Sequence, residues 1–476
     1  MGKGETVVAG AVSNIGHAGD SVVVRQRVTP LVSPLRRLLR RGARAHAANL
    51  LSKLHAADVA RLLALLDPSE NDQVFDLLLQ RDPERAGDVL AEMEDPDTAR
   101  ILEGRTDSEV ATILAQLDPD DGAAIAANLP DEIRTGVLEL LDQAGHDEVE
   151  GLLGYEEETA GRIMSPEIFT LGEELTVGEA IEALRSRAED LEMVFYLYVV
   201  DGRGHLVGVC SLRDLILRSP ADVLGDVMNK QIVAVSVDTD QEEVAHLVAR
   251  YNYLALPVVD HGNKLVGLIT VDDVIDIIRE EETEDILLMA GVGEDEEEVL
   301  TAPLWRNVML RLPWLFAAWV GGILAAEVIG LYEEEPMLFM LLTPFVPIIV
   351  GMGGNVGTQA ATIVVRGMAT GRLTGAQRLV TLFREVRVSL ALGAIFGVLL
   401  GAAILVTTEN QNLAIAVGLS LITSMAIASS VGASVPMLLR RLGVDPAIAT
   451  GPFVTTAIDV LGIIAYFSIA SALLAR

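Results

Sequence analysis

Past residue 302 the chain runs through five apolar stretches, at about 308–331, 337–362, 386–407, 412–438 and 453–474, each near the length of a bilayer crossing. Nothing else constrains the fold as much. Segments of this kind satisfy their backbone polar groups internally, so they must be helices. The rest of the chain has the opposite character. Of 476 residues, 68 are Asp or Glu and 35 are Lys or Arg, a formal charge of −33, and nearly all the charge precedes residue 300. The molecule therefore divides into an acidic water-facing half and a membrane half over 303–476. The acidity argues against a nucleic-acid partner, which calls for basic stripes. It suits a surface that collects cations, although a generally acid-rich surface adapted to salt reads the same way.

Loop charges orient the membrane half. The loop between the second and third segments carries Arg366, Arg372, Arg378, Arg384 and Arg387, and that between the fourth and fifth carries Arg440 and Arg441. The other two loops, LYEEEP and TTENQN, have no Lys or Arg. The positive-inside rule puts the Arg loops and the acidic half in the cytoplasm and the C-terminus outside, a multi-pass arrangement in the cell (inner) membrane.

Within the segments charge is scarce. Glu327 lies near an outer end, whereas Asp459 sits about seven residues into the last segment, GPFVTTAIDVLGIIAYFSIA. An aspartate so placed costs about 2.5–3.5 kcal/mol on insertion scales and is by default functional. No Lys, Arg or His inside the segments offers a deep partner. Either Asp459 is a neutral, hydrogen-bonded group or it faces water and a cation. Thr455 and Thr456 add hydroxyls one turn earlier, and Asn355 and Gln359, four apart in GMGGNVGTQAAT, share a helix face. The glycines there allow close approach and broken helix geometry. A second small, polar patch is SSVGASVP at 429–436. Oxygen donors without Cys or His suit a hard cation, and Mg²⁺ keeps several of its waters.

In the acidic half, residues 1–46 read as a flexible tail without the apolar core of a signal peptide. Over 47–155 amphipathic runs end in Asp-Pro: LLALLDP, LLLQRDP, AEMEDP, ILAQLDP. Asp as N-cap and Pro at the first helical position predict a superhelical α domain of short helices. A tandem repeat follows, with VVDGRGHLVGVCSLRDLI from Val199 matching VVDHGNKLVGLITVDDVI from Val258. Gly202 and Gly262 fall at the predicted hairpin turns. This repeat resembles a CBS pair, over 160–222 and 223–280. The resemblance assigns Ser211, Asp214, Thr270 and Asp273 to contacts with the ribose and phosphate of an adenine nucleotide such as ATP. A plain turn and N-cap role stands beside it. Cys210 is the only cysteine, in an apolar strand, so it is a buried thiol and not half of a disulfide within the chain. Residues 272–302 predict a densely acidic connecting helix with Val274, Ile277, Ile278, Ile286, Leu287 and Met289 on one face.

Taken in this order, and with GGNVGTQ, RRLGVDPA and PFVTTAIDVLG, the chain resembles the MgtE family of magnesium channels over about 50–476. The resemblance implies a homodimer with one central pore in which Asp459 holds hydrated Mg²⁺. It makes the connecting helix a plug whose Asp273, Asp276, Glu281, Glu284 and Asp285 bind sensor Mg²⁺. Asp240 and Glu242 of the second CBS repeat, Asp445 of GVDPA, and Asp118, Asp120 and Asp121 of the α domain join that set. Asn252 departs from a family position that often holds an acid. The chain carries no enzyme signature: a zinc protease needs His-Glu-x-x-His, and the last histidine is His261. A carrier coupled to protons or sodium shares the lone aspartate, and a passive nucleotide-sensing scaffold leaves it unexplained.

Overall fold

At three of the four Asp-Pro steps the proline opens a helix, and at the fourth the helix begins on Asp95 itself. In the computed structural model, which describes residues 28–93, 95–187, 195–293, 299–300, 302–333, 336–373, 375 and 377–474, helices begin at Pro68, Pro83 and Pro119. Asp82 accepts the Arg85 N–H at 3.3 Å. The α domain is a run of short helices: α1 (Thr29–Arg40), α2 (Arg44–Leu51), α3 (Ala56–Leu63), α4 (Pro68–Arg81), α5 (Pro83–Ala91), α6 (Asp95–Leu102), α7 (Asp107–Leu114), α8 (Pro119–Ala127), α9 (Asp131–Leu138) and α10 (Gln143–Leu153). Leu62, Leu63, Val74, Phe75, Leu90 and Ile113 fill its core. Of the expected tail 1–46, residues 1–27 lie outside the described residues, and the remainder is helical rather than loose. α1 and α2 are ordered helices because Leu35, Ala47, Ala48 and Leu51 bury an apolar face, and Arg36 pairs with Glu70 at 2.6 Å.

This domain is one compact unit. The CBS pair and the membrane helices belong to a second. After α11 (Ala160–Ile163), the first repeat is β1 (Thr170–Gly172), α12 (Val177–Arg187), β2 (Tyr196–Val200), β3 (Leu206–Ser211) and α13 (Leu212–Leu217). After α14 (Leu224–Val227), the second is β4 (Val235–Ser236), α15 (Gln241–Tyr251), β5 (Ala255–Val259), β6 (Leu265–Thr270) and α16 (Val271–Ala290). Each sheet pairs its first strand parallel and its hairpin antiparallel, in the orders β1-β2-β3 and β4-β5-β6. The repeats exchange their leading segments. Met228 lies over Gly208 of the first hairpin and Met164 over Gly267 of the second, where a Cβ would collide with sulfur. In the hairpin turns the left-handed residues are Gly204 and Asn263, not Gly202 and Gly262.

The five long apolar helices are α17 (Leu304–Gly330), α18 (Pro336–Leu342) continuing through a 3₁₀ turn into α19 (Val346–Ala369), α20 (Gln377–Thr408), α21 (Gln411–Arg441) and α22 (Pro452–Leu474). α21 is the hub, packed on α19, α20 and α22, while α17 packs on α22. Polar glue crosses these seams. Ser424 Oγ donates to Gly462 O at 3.2 Å, and the Tyr466 hydroxyl to Leu342 O at 2.8 Å. The glycines of α19 do not break it. Gly353 and Gly357 bring the unbroken helix against Ile458 and Ala428, and a Cβ on Gly432 would strike the Gly357 carbonyl. The 429–436 patch likewise serves packing, with Ser429, Gly432 and Ala433 buried.

The connecting helix ends earlier than 302. Gly291 at φ +66° takes the left-handed position that terminates α16 after Ala290. Residues 294–298 of that stretch lie outside the described residues. Its buried face carries Val274, Ile277 and Leu288, whereas Ile286 is exposed.

Candidate functional site

Two places bring the chemistry together: a polar face of the membrane helices and an acidic seam beneath them. On α22, Thr455 and Asp459 stand four residues apart on one face, both half-buried. Among the described residues no group donates a hydrogen bond to the Asp459 carboxylate and no cation pairs with it. Thr455 Oγ1 is turned back to Pro452 O at 3.2 Å. Thr456 leans toward α17, against Gly321. On α19, Asn355 and Gln359 lie exposed together, with Gly351, Thr358 and Thr362 on the same exposed flank. That flank lies opposite the glycine seam that meets α22. Within one chain the structure thus forms two polar pairs, Thr455/Asp459 and Asn355/Gln359, on different faces of the α19–α22 pair.

The acidic seam lies where α15 and α16 meet the Arg-bearing ends of α19 and α21. Glu242 of α15 and Asp240 at its N-cap act electrostatically on Glu281 of α16 and, with Asp445 in the α21–α22 loop, on one another, and Glu242 and Asp445 act on Asp285 of α16. Burial, then the neighbouring carboxylates Glu242, Asp240 and Glu158, push Glu281 up to about 7, although Gln241 Nε2 donates to it at 2.7 Å. Burial and the Asp445 and Glu242 charges push Asp285 up to about 6. Glu242 and Asp445 are raised as well, chiefly by burial, with Arg440 opposing.

Basic groups tie the seam together, although in the sequence alone they mark only membrane topology. Arg366 pairs with Glu282 at 2.8 Å, and Arg440 Nη1 donates to Met368 O at 3.1 Å. Leu288 packs with Val365 and Ala447, so α16 is docked on the membrane half. His246 of α15 sits against Gly371, which takes the left-handed φ of +64°. Among the described residues no three Asp, Glu, His or Cys side chains form a ready-made metal cage.

Of the other expected residues, several are held by local partners of their own. Asp276 pairs with Arg279 at 2.9 Å on the exposed side of α16, and Glu284 lies on α16 one residue before Asp285. Asp273 is spent at the start of α16, where Thr270 Oγ1 donates to it at 2.5 Å. Ser211 and Asp214 form the same capping box on α13, more exposed. Asp118 stands at the N-cap position of α8 without a side-chain capping bond, and Asp120 and Asp121 lie in its first turn. Close by in that domain, Asp88 is raised by burial and by Glu84, Asp118 and Asp82.

Two residues escaped the sequence reading, Glu385 and Tyr198. Glu385 is buried in α20, which begins nine residues before the expected segment. Tyr198 is buried on β2 with an unpartnered hydroxyl. Asn252 ends α15 at φ +54°, a left-handed C-terminal position that asparagine tolerates better than branched residues.

A multi-helix membrane domain joined to a CBS pair and an acidic α domain defines a class of regulated membrane transport protein. Comparison with known sequences agrees. The profile of the MgtE divalent cation transporter matches residues 346–469, that of the MgtE intracellular N domain matches 54–158, and the CBS domain matches 160–220 and 224–280. The magnesium transporter MgtE of Thermus thermophilus is 40% identical over 339 residues, 71% of this chain and 74% of that protein. That of Enterococcus faecalis is 38% identical over 330 residues, 69% of this chain and 72% of that one. A crystal structure of the cytosolic domain of the Mg²⁺ channel MgtE in complex with ATP is 37% identical, with a TM-score of 0.49, covering 52% of this chain and 99% of that one. The chain belongs to the MgtE family of magnesium transporters. It is a multi-pass membrane protein with its N-terminal domains in the cytoplasm.

Proposed function

We propose that this chain conducts hydrated Mg²⁺ into the cytoplasm through a pore formed between two copies, and that Mg²⁺ bound at the acidic seam holds the pore shut. The observation that carries the pore is the exposed polar flank of α19, with Asn355 and Gln359, in a helix otherwise apolar enough to span a membrane. Amide side chains facing lipid are costly. In a dimer these amides and two half-buried Asp459 carboxylates, one from each copy, supply the oxygen donors of the path. Carboxylate and amide oxygens suit a hard cation that keeps its waters. In this reading the C-terminus lies outside the cell's inner membrane, and the protein is a transporter rather than an enzyme.

The sensor follows from the seam. Carboxylates on α15, α16 and the α21–α22 loop repel one another when ionised, and a divalent cation among them relieves that repulsion. Binding that favours the docked state shifts the population toward it. Two or three oxygen ligands completed by water suit Mg²⁺, so a full protein cage is unnecessary. Asp118, Asp120 and Asp121 belong to the same scheme in the α domain. Tyr198, with its orphaned hydroxyl, and the Ser211/Asp214 and Thr270/Asp273 boxes support adenine nucleotide at the CBS pair.

The test is Mg²⁺-dependent growth of a transport-deficient strain carrying wild type, Asp459→Ala or Asp459→Asn, with membrane expression matched, followed by Mg²⁺ flux into proteoliposomes. Rescue by wild type and loss in Asp459→Ala is expected. Full rescue by Asp459→Ala would remove Asp459 from the pathway. Flux abolished by collapsing a pH gradient alone would favour a proton-coupled carrier.

A further inference from the structure

The segment expected to be a loose tail is strongly basic in an acidic molecule. Residues 21–57 hold eight Lys or Arg and no Asp or Glu, leaving 27 cations against 68 carboxylates elsewhere. The structure shows how this segment is used. The apolar sides of α1 and α2 are consumed by packing, with Leu35, Ala47, Ala48 and Leu51 buried. Arg36 fastens α1 to α4 through Glu70 and Asp67. Beyond it, Arg37, Arg40, Arg41 and Arg44 are exposed, and among the described residues none of the four makes an ion pair. Their spacing of three to four gathers them on one side of α1 and of the turn at Gly42, which takes φ +66°. Both helices lie ahead of the family match to the α domain, which begins at residue 54.

We infer that the exposed arginines of α1 and of the turn into α2 form a docking surface for anionic phospholipid headgroups of the cytoplasmic leaflet. Three features select that partner. Of the eight cations seven are arginine, whose planar fork grips phosphate oxygens. The domain is tethered to a bilayer by its own chain, so the surface potential of that leaflet acts on it at high effective concentration. The rest of that domain, residues 58–153, carries 25 Asp or Glu against 6 Arg, so the same leaflet repels it. Because the apolar sides are already buried, the contact is electrostatic and shallow, unlike that of an inserted amphipathic helix. It requires membrane embedding but not Mg²⁺ conduction.

The test uses the full chain in nanodiscs. A fluorophore on Ala45→Cys, in a Cys210→Ala background, reports quenching by nitroxides attached to lipid headgroups. Quenching is expected in discs containing phosphatidylglycerol, with loss in phosphatidylcholine discs, in high salt, and in the Arg37→Glu/Arg40→Glu/Arg41→Glu/Arg44→Glu variant. A second variant with Gln at the four sites should fall between. Unchanged thermal unfolding of both variants shows that they are folded. Equal quenching in the two lipids, or quenching that survives charge reversal, overturns the inference. So does a patch that instead drives salt-sensitive self-association in detergent, which would make its partner an acidic face of a second copy.

Discussion

Gly432 shows how tightly the membrane core is specified at single residues. A Cβ there would meet the backbone carbonyl of Gly357, and backbone cannot step aside as a side chain can. Gly432→Ala should therefore cost about 1–3 kcal/mol, typical of overpacking. Gly322, whose Cβ would meet nothing within 4 Å, is the control. Gly322→Ala should be neutral or stabilise by up to about 1 kcal/mol, because alanine is the better helix former. Thermal unfolding of the two variants in detergent checks the contrast. The same comparison marks what the sequence could and could not convey. GMGGNVGT and SSVGASVP announce close approach or broken backbone alike, and only the partner across the seam tells which. Asp459 was legible because a charge in an apolar run has few explanations. Glu385 was not, because the predicted segment began one residue after it.

At the scale of elements, chain punctuation was the legible part. Asp-Pro set helix starts, and the 3.6-residue period of the apolar segments set the spans. Ends were less legible, since a left-handed residue can be Gly or Asn and only the backbone reveals which stops the helix. α15 ends on Asn252 at φ +54°, and α16 on Gly291 at φ +66°. This predicts an order for substitutions at 252. Asn252→Gly should hold stability within a few tenths of a kcal/mol, whereas Asn252→Val should lose about 1–2 kcal/mol from the left-handed strain of a branched residue. Asn252→Asp should fold normally, since aspartate also visits this region, and so tests whether an acid there strengthens inhibition by internal Mg²⁺. Chemical denaturation for the first pair and flux against internal Mg²⁺ for the third are the measurements. The exposed face of α16 misled for another reason. Its apolar residues wrap around the helix, so periodicity could not decide between Ile286 and Leu288 until the docking partners Val365 and Ala447 were known.

Across the whole molecule, the proposed sensor role of the acidic seam sets cation and proton in competition for one conformation. Glu281 and Asp285 are held at about 7 and about 6 when metal-free and docked, above the ordinary carboxylate range. The docked form therefore binds protons more tightly than an undocked or unfolded one. Its stability from these groups is fully present below about pH 4, where both forms are protonated, and is lost as pH rises through about 7. A divalent cation acts on the ionised pair, so its stabilising increment should grow over that same window. Measured as melting temperature with chelator and with millimolar Mg²⁺, the two curves should lie close at pH 5 and separate by pH 8. The Glu281→Gln/Asp285→Asn variant should melt higher than wild type in chelator at pH 8, because the repulsion is gone, and should lose most of the Mg²⁺ increment. A variant that melts lower in chelator would show these carboxylates to be structural partners of Gln241 and Arg366, and the cation's role would then have to be sought at Glu242 and Asp445. The distinction lies in the sign of one shift, because a group kept for its charge and a group kept for its hydrogen bonds respond oppositely when the charge is removed.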